Sequence, residues 1–138
     1  MTTTDWNHPE STAAAAIGAA QKALDALGRL PATVRRDHRI LIDRVRSHLD
    51  RGTVFGRDVL LDLETLVQAL RPIFEAEQFE CMTDLGDGDY VPWRHISDDG
   101  RSVQAALTPL WETLHHASRT RDVIRAQRAV RHLEDAAR

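Results

Sequence analysis

RDVLLDLETLVQAL, residues 57–70, carries the strongest periodic signal in the chain. Val59, Leu63, Leu66 and Leu70 recur at alternating four- and three-residue spacings, which is one ridge of a helix with about 3.6 residues per turn. Leu60 and Val67 widen the ridge, as do Ile73 and Phe74 just beyond it. So broad an apolar face must be buried against other elements, so the stretch predicts a central core helix. Pro72 has no amide donor and clashes with the preceding turn, which predicts a kink or a stop followed by a restart over Pro72–Cys81. The restarted piece would be acidic through Glu75, Glu77 and Glu80, and would offer Phe74 and Phe79 to the core.

Upstream, two further helices are predicted. The first runs from Ser11, a capping residue, to Leu27, ahead of Gly28, with Ile17, Ala20, Leu24 and Leu27 as its stripe. The second runs from Pro31 to Leu49 or Asp50, ahead of Gly52, with Val34, His38, Leu41, Val45 and Leu49 facing inward. Downstream, Thr83–Gly100 holds three glycines, one proline and five aspartates, a turn-rich composition read as an ordered loop. Its apolar residues Tyr90 and Trp93 are expected to latch that loop onto the helices. From Ser102 to Ala137 the pattern is helical again, with a break expected near Leu107 at Thr108-Pro109 and a fresh start near Ser118 or Thr120. In the last segment Val123, Ala126, Val130, Leu133 and Ala137 form a seam at three- and four-residue spacings. The expected fold is therefore all-α: a compact bundle of four to five helices with one irregular Gly/Asp-rich loop at about 83–100. A flexible N-terminus, 1–10, would precede a single helical domain, 11–138.

Composition agrees. The chain has 138 residues, 42% of them apolar, and Ala, Leu and Arg, all strong helix formers, dominate over aromatics. Seventeen of the 18 basic residues are arginine, a bias that fits a GC-rich, bacterial genome. Formal charge is +3 over residues 31–52, −8 over 53–100 and +3 over 101–138, which suits self-complementation or a charged partner. The single cysteine, Cys81, excludes an internal disulfide framework and fits a reducing, cytoplasmic setting. No stretch has the run of apolar residues that a membrane span needs, and the first residues lack the pattern of a secretory signal, so no membrane partner is expected.

Catalytic grammar is sparse. No nucleophile elbow, phosphate-binding glycine loop or dinucleotide fingerprint occurs, and Cys81 has no evident base. No cofactor is expected. Two surfaces carry binding chemistry instead. Arg121, Arg125, Arg128 and His132 share one face of the last helix, and guanidiniums there can fork onto carboxylates. Tyr90, Trp93, Arg94 and His95 concentrate aromatic, basic and titratable groups favoured at protein interfaces. The leading expectation is a small helical interaction protein: an adaptor, an inhibitor or a subunit of a complex, with homo-oligomerisation as a further expectation. One alternative is a nucleic-acid-associated subunit, with Arg35, Arg39 and Arg46 joining Arg121, Arg125 and Arg128 along one phosphate-binding groove. A second alternative is a histidine–carboxylate metalloenzyme built around Glu112, His115 and His38; Glu112-x-x-His115 has the inward-facing spacing found in carboxylate-bridged bundles, although no second copy of the motif exists. Outside that alternative, the sequence assigns no role to His38, His115 or His116.

Overall fold

The computed structural model describes residues 9–137. Among them are helices α1 (Pro9–Leu27), α2 (Ala32–Asp37), α3 (Arg39–Asp50), α4 (Arg57–Ala76) and α5 (Asp98–Ala136). Between α4 and α5 stand two antiparallel strands, β1 (Gln78–Gly86) and β2 (Asp89–Ile96). The architecture is mainly helical, as expected, but not all-α: the segment read as an irregular loop at 83–100 is most of a hairpin and the first turn of α5. The expected flexible stretch 1–10 lies outside the described residues apart from positions 9 and 10, which already belong to α1.

One apolar cluster joins the four long helices. From α4 it takes the predicted ridge of Val59, Leu63, Leu66, Val67 and Leu70, and from α5 it takes Val103, Ala106, Leu110 and Ala117. Helix α1 runs antiparallel to α5. Thr120 Oγ1 donates to Thr12 Oγ1 at 2.8 Å near one end, and Ala26 lies beside Arg101 and Ala105 at the other. The face α1 buries is made of Ala16, Ala19, Ala20, Ala23, Ala26 and Leu27, while Ile17, expected inside, stays exposed. Methyl side chains let two helix backbones approach closely, so the smooth alanine face wins over the bulkier one.

The single helix expected over 31–50 is divided at His38, whose φ of −119° and ψ of 26° leave the helical region. Ile42 is buried in the core with Val45 and Leu49, Leu41 packs against it half-buried, and His38 at the break is half-buried too. Arg44 and His48 of α3 both reach Asp62 of α4, at 3.0 and 3.3 Å, and fix that helix pair across its edge.

Neither internal proline ends its helix. Helix α4 continues through Pro72 to Ala76, and residues 78–81 are strand, not the restarted helix. Helix α5 runs unbroken for 39 residues through Pro109, without the breaks expected near Leu107 and Ser118. Each proline leaves one carbonyl four residues earlier without its amide, on Gln68 and Ala105, and both residues are exposed, so water can satisfy it. Burial of Ala106, Pro109 and Leu110 in the core then keeps α5 continuous there. Pro72 itself is exposed and fills no core space. The Pro72→Ala variant is expected to gain roughly 1 kcal/mol in urea denaturation, the restored bond outweighing the extra freedom of the unfolded chain.

Candidate protein-interaction surface

The hairpin is built by its turn. Asp87 and Gly88 link the strands with φ of 56° and 81°, both in the left-handed region, which is the two-residue turn whose twist matches paired strands. Gly86 N–H donates to Asp84 Oδ1 at 2.8 Å and secures the approach to it. The register pairs Phe79 with His95, Cys81 with Trp93, and Thr83 with Val91. Directly opposed residues share a face, so these six side chains lie together, apart from Thr83 an apolar and aromatic set. The other face pairs Glu80 with Arg94, Met82 with Pro92, and Asp84 with Tyr90, and Arg94 donates to Gln78 Oε1 at 3.1 Å.

The hairpin stands off the bundle. Its base is clamped where Ser97 Oγ donates to Glu77 Oε2 at 2.6 Å and Ser97 N–H donates to Glu77 O at 3.1 Å. Beyond that base nearly every strand residue is exposed: Phe79 by 50%, Tyr90 by 56% and Trp93 by 46%. The expectation that Tyr90 and Trp93 latch onto the helices is therefore overturned. Trp93 meets only the edge of His95 among described rings, at 5.7 Å between centroids. The two strands form an arm.

A second surface lies at the far end of α5. The last buried residue of that helix is Thr120, and from residue 121 to Ala136 the helix continues as a tail. Along it the predicted seam of Val123, Ala126, Val130 and Leu133 is uncovered, with Leu133 exposed by 73%. A hollow of about 750 Å³ follows this face, bordered by Val123, Ala126 and Val130, with Arg119, Asp122, Gln127, Arg131 and Glu134 around them. On the opposite side, Arg121 donates to Phe55 O at 3.1 Å and so ties α5 to the segment before α4. Arg125 and Arg128 border a smaller hollow beside Phe55 and Ile124, and with His132 they make no side-chain hydrogen bond or ion pair among the described residues.

Comparison with known proteins adds no relative. No family model, curated protein or solved structure matches this chain.

The remaining sequence-derived sites stay apart. Arg39 borders a different hollow with His38 and Arg44, and pairs with Asp43 only at 3.9 Å on the surface. Arg35 and Arg46 are exposed on α2 and α3, and no hollow among those described gathers them with Arg121, Arg125 and Arg128. The His115 ring stacks on Trp111 at 5.0 Å, one helical turn earlier, and no group of three or more His, Cys, Asp or Glu among the described residues is placed to hold a metal with Glu112. Burial holds the His116 imidazole below its usual range; neighbouring His115 adds to this and Glu112 opposes it. Sequence reasoning named Tyr90, Trp93, Arg94 and His95 but missed Phe79, Cys81 and Val91, which share the arm's apolar face with Trp93. The available signal was Asp87-Gly88, a preferred hairpin turn, between alternating apolar residues.

Proposed function

We propose that this protein acts by binding another protein, as an adaptor, inhibitor or small subunit of a complex, through the β1–β2 arm and the α5 tail. The observation that carries the reading is the arm itself. A two-stranded hairpin is marginal in water, and this one leaves Phe79, Val91 and Trp93 uncovered on a single face. Closing a partner over that face stabilises both the hairpin and the complex, and buried aromatics dominate such contacts. Cys81, a free thiol on the same face, fits a reducing cytoplasmic setting.

The test is co-purification from the source cell, comparing the native chain with a Phe79→Ser/Trp93→Ser variant. Wild type should retain a stoichiometric partner. The variant should fold with unchanged helical circular dichroism and bind at least about thirtyfold more weakly, the loss expected from one or two interface hot spots. Equal retention by the variant, or metabolite turnover by the isolated chain, would refute the reading.

A further inference from the structure

We infer that the arm takes its partner by strand addition: an extended segment of the partner, with two basic residues four positions apart and apolar residues at alternate positions between them, pairs with the free edge of β1. This rests on the protein-binding reading above and names the partner's chemistry and its mode of docking.

The phase of the hairpin ladder selects the edge. Ser97 N–H donates to Glu77 O, and these two residues continue the register one step below Gln78 and Ile96. Antiparallel pairs alternate between hydrogen-bonded and non-hydrogen-bonded. The pairs Phe79–His95, Cys81–Trp93 and Thr83–Val91 therefore carry the ladder, while Gln78, Glu80 and Met82 turn their backbone N–H and C=O groups away from β2. The sheet has only two strands among the described residues, and Phe79–Gly86 are exposed apart from half-buried Cys81, so this edge is open. On β2 the corresponding outward positions include Tyr90, Pro92 and Arg94, and Pro92 has no N–H to offer. Proline thus interrupts the β2 edge in its middle, whereas β1 keeps every donor. A row of unpaired strand groups is a template for another strand.

Side chains along the edge set the partner's chemistry. A strand added to β1 lies beside both faces of the arm and reads both. On one face it meets Phe79, Cys81 and Thr83, where apolar residues extend the strip already formed with Val91 and Trp93. On the other it meets Glu80 and Asp84, about 13 Å apart along the strand. Arg94, directly opposite Glu80, donates to Gln78 Oε1 instead, and Glu80 makes no hydrogen bond or ion pair among the described residues. No basic residue lies on β1, so a second copy of this edge would add two more carboxylates and no base. Arginine or lysine set opposite each carboxylate supplies the missing charge.

Amide exchange and binding of the full chain to the synthetic peptide TVRVTVRVT test this. At saturation, exchange of the Gln78, Glu80 and Met82 amides should slow at least about tenfold, with Tyr90 and Arg94 unchanged. The glutamate peptide TVEVTVEVT should bind at least about tenfold more weakly. Met82→Pro removes one outward N–H and leaves the hairpin's own ladder intact, and should weaken the arginine peptide at least about tenfold. Glu80→Arg keeps every backbone group and should weaken it at least about threefold. No binding at about 1 mM peptide, unchanged exchange at Gln78, Glu80 and Met82, or equal binding of the two peptides would each overturn the inference. So would protection of the same amides on raising the protein concentration alone, which would make the occupant a second copy. A co-purified partner lost on Phe79→Ser/Trp93→Ser substitution but fully retained by Met82→Pro and Glu80→Arg would overturn strand addition alone and leave the protein-binding reading standing.

Discussion

Leu66→Ala is expected to destabilise the protein by about 2–5 kcal/mol, read as a fall in the urea midpoint at unchanged slope. Leu66 has no exposed surface and lies on the α4 ridge that faces α5 across the core. Truncation removes its transfer free energy and leaves a cavity that α4 cannot close. The helix is held at one edge by Arg44 and His48 on Asp62, and along its face by Leu63 and Leu70, both equally buried. A domain of this size is stable by only about 5–15 kcal/mol, so the loss is a large share of the total. Leu61, on the same helix but 61% exposed, supplies the control: Leu61→Ala should change stability by less than about 0.5 kcal/mol. Equal effects at the two positions would show that α4 does not bury the face assigned to it.

Glycine-to-alanine substitutions should act in opposite directions at two helical positions. Gly18, inside α1, has open space where a Cβ would stand, so Gly18→Ala is expected to stabilise by about 0.5–1 kcal/mol through helix propensity and a less flexible unfolded chain. Gly100 lies in the first turn of α5 against the root of the arm. A Cβ there would stand 2.8 Å from Glu77 Cβ and 2.9 Å from Ile96 Cγ2, inside ordinary contact distance. Its N–H donates to Ser97 Oγ at 3.0 Å, and the same hydroxyl donates to Glu77, so relieving the clash disturbs the helix cap and the clamp together. Overpacking of this kind outweighs propensity, and Gly100→Ala is expected to cost about 1–3 kcal/mol. Thermal unfolding of the two variants beside wild type checks the signs. A stabilised Gly100→Ala would mean that the arm is not held at Glu77 and Ser97.

The arm shows where local sequence stops being decisive. Over 72–81 the residues Glu75, Glu77 and Glu80 beside Phe74 and Phe79 satisfy a helical pattern, and the same Phe79 and Cys81 also satisfy an alternating one. The ambiguity is resolved by pairing: Phe79 faces His95 and Cys81 faces Trp93 because Asp87-Gly88 reverses the chain between them. Pairing of residues that far apart does not register in a window of a dozen residues. The exposure of Trp93 was equally hidden, since an aromatic residue in a loop reads the same whether it is latched down or held out.

Apolar spacing alone determined the α4 ridge, the helical character of 11–27, 102–107 and 121–136, and the seam beyond Thr120, because a helix repeats every few residues and its burial pattern is written locally. Tertiary contact decided the rest. Close approach to α5 chose the alanine face of α1 over Ile17; the cap and clamp at Ser97 and Glu77 raised the hairpin clear of the bundle; and exposed residues one turn earlier, with packed neighbours, carried two helices through Pro72 and Pro109. Those outcomes turn on which groups meet across space, and the free energy of meeting belongs to both partners rather than to either stretch of chain.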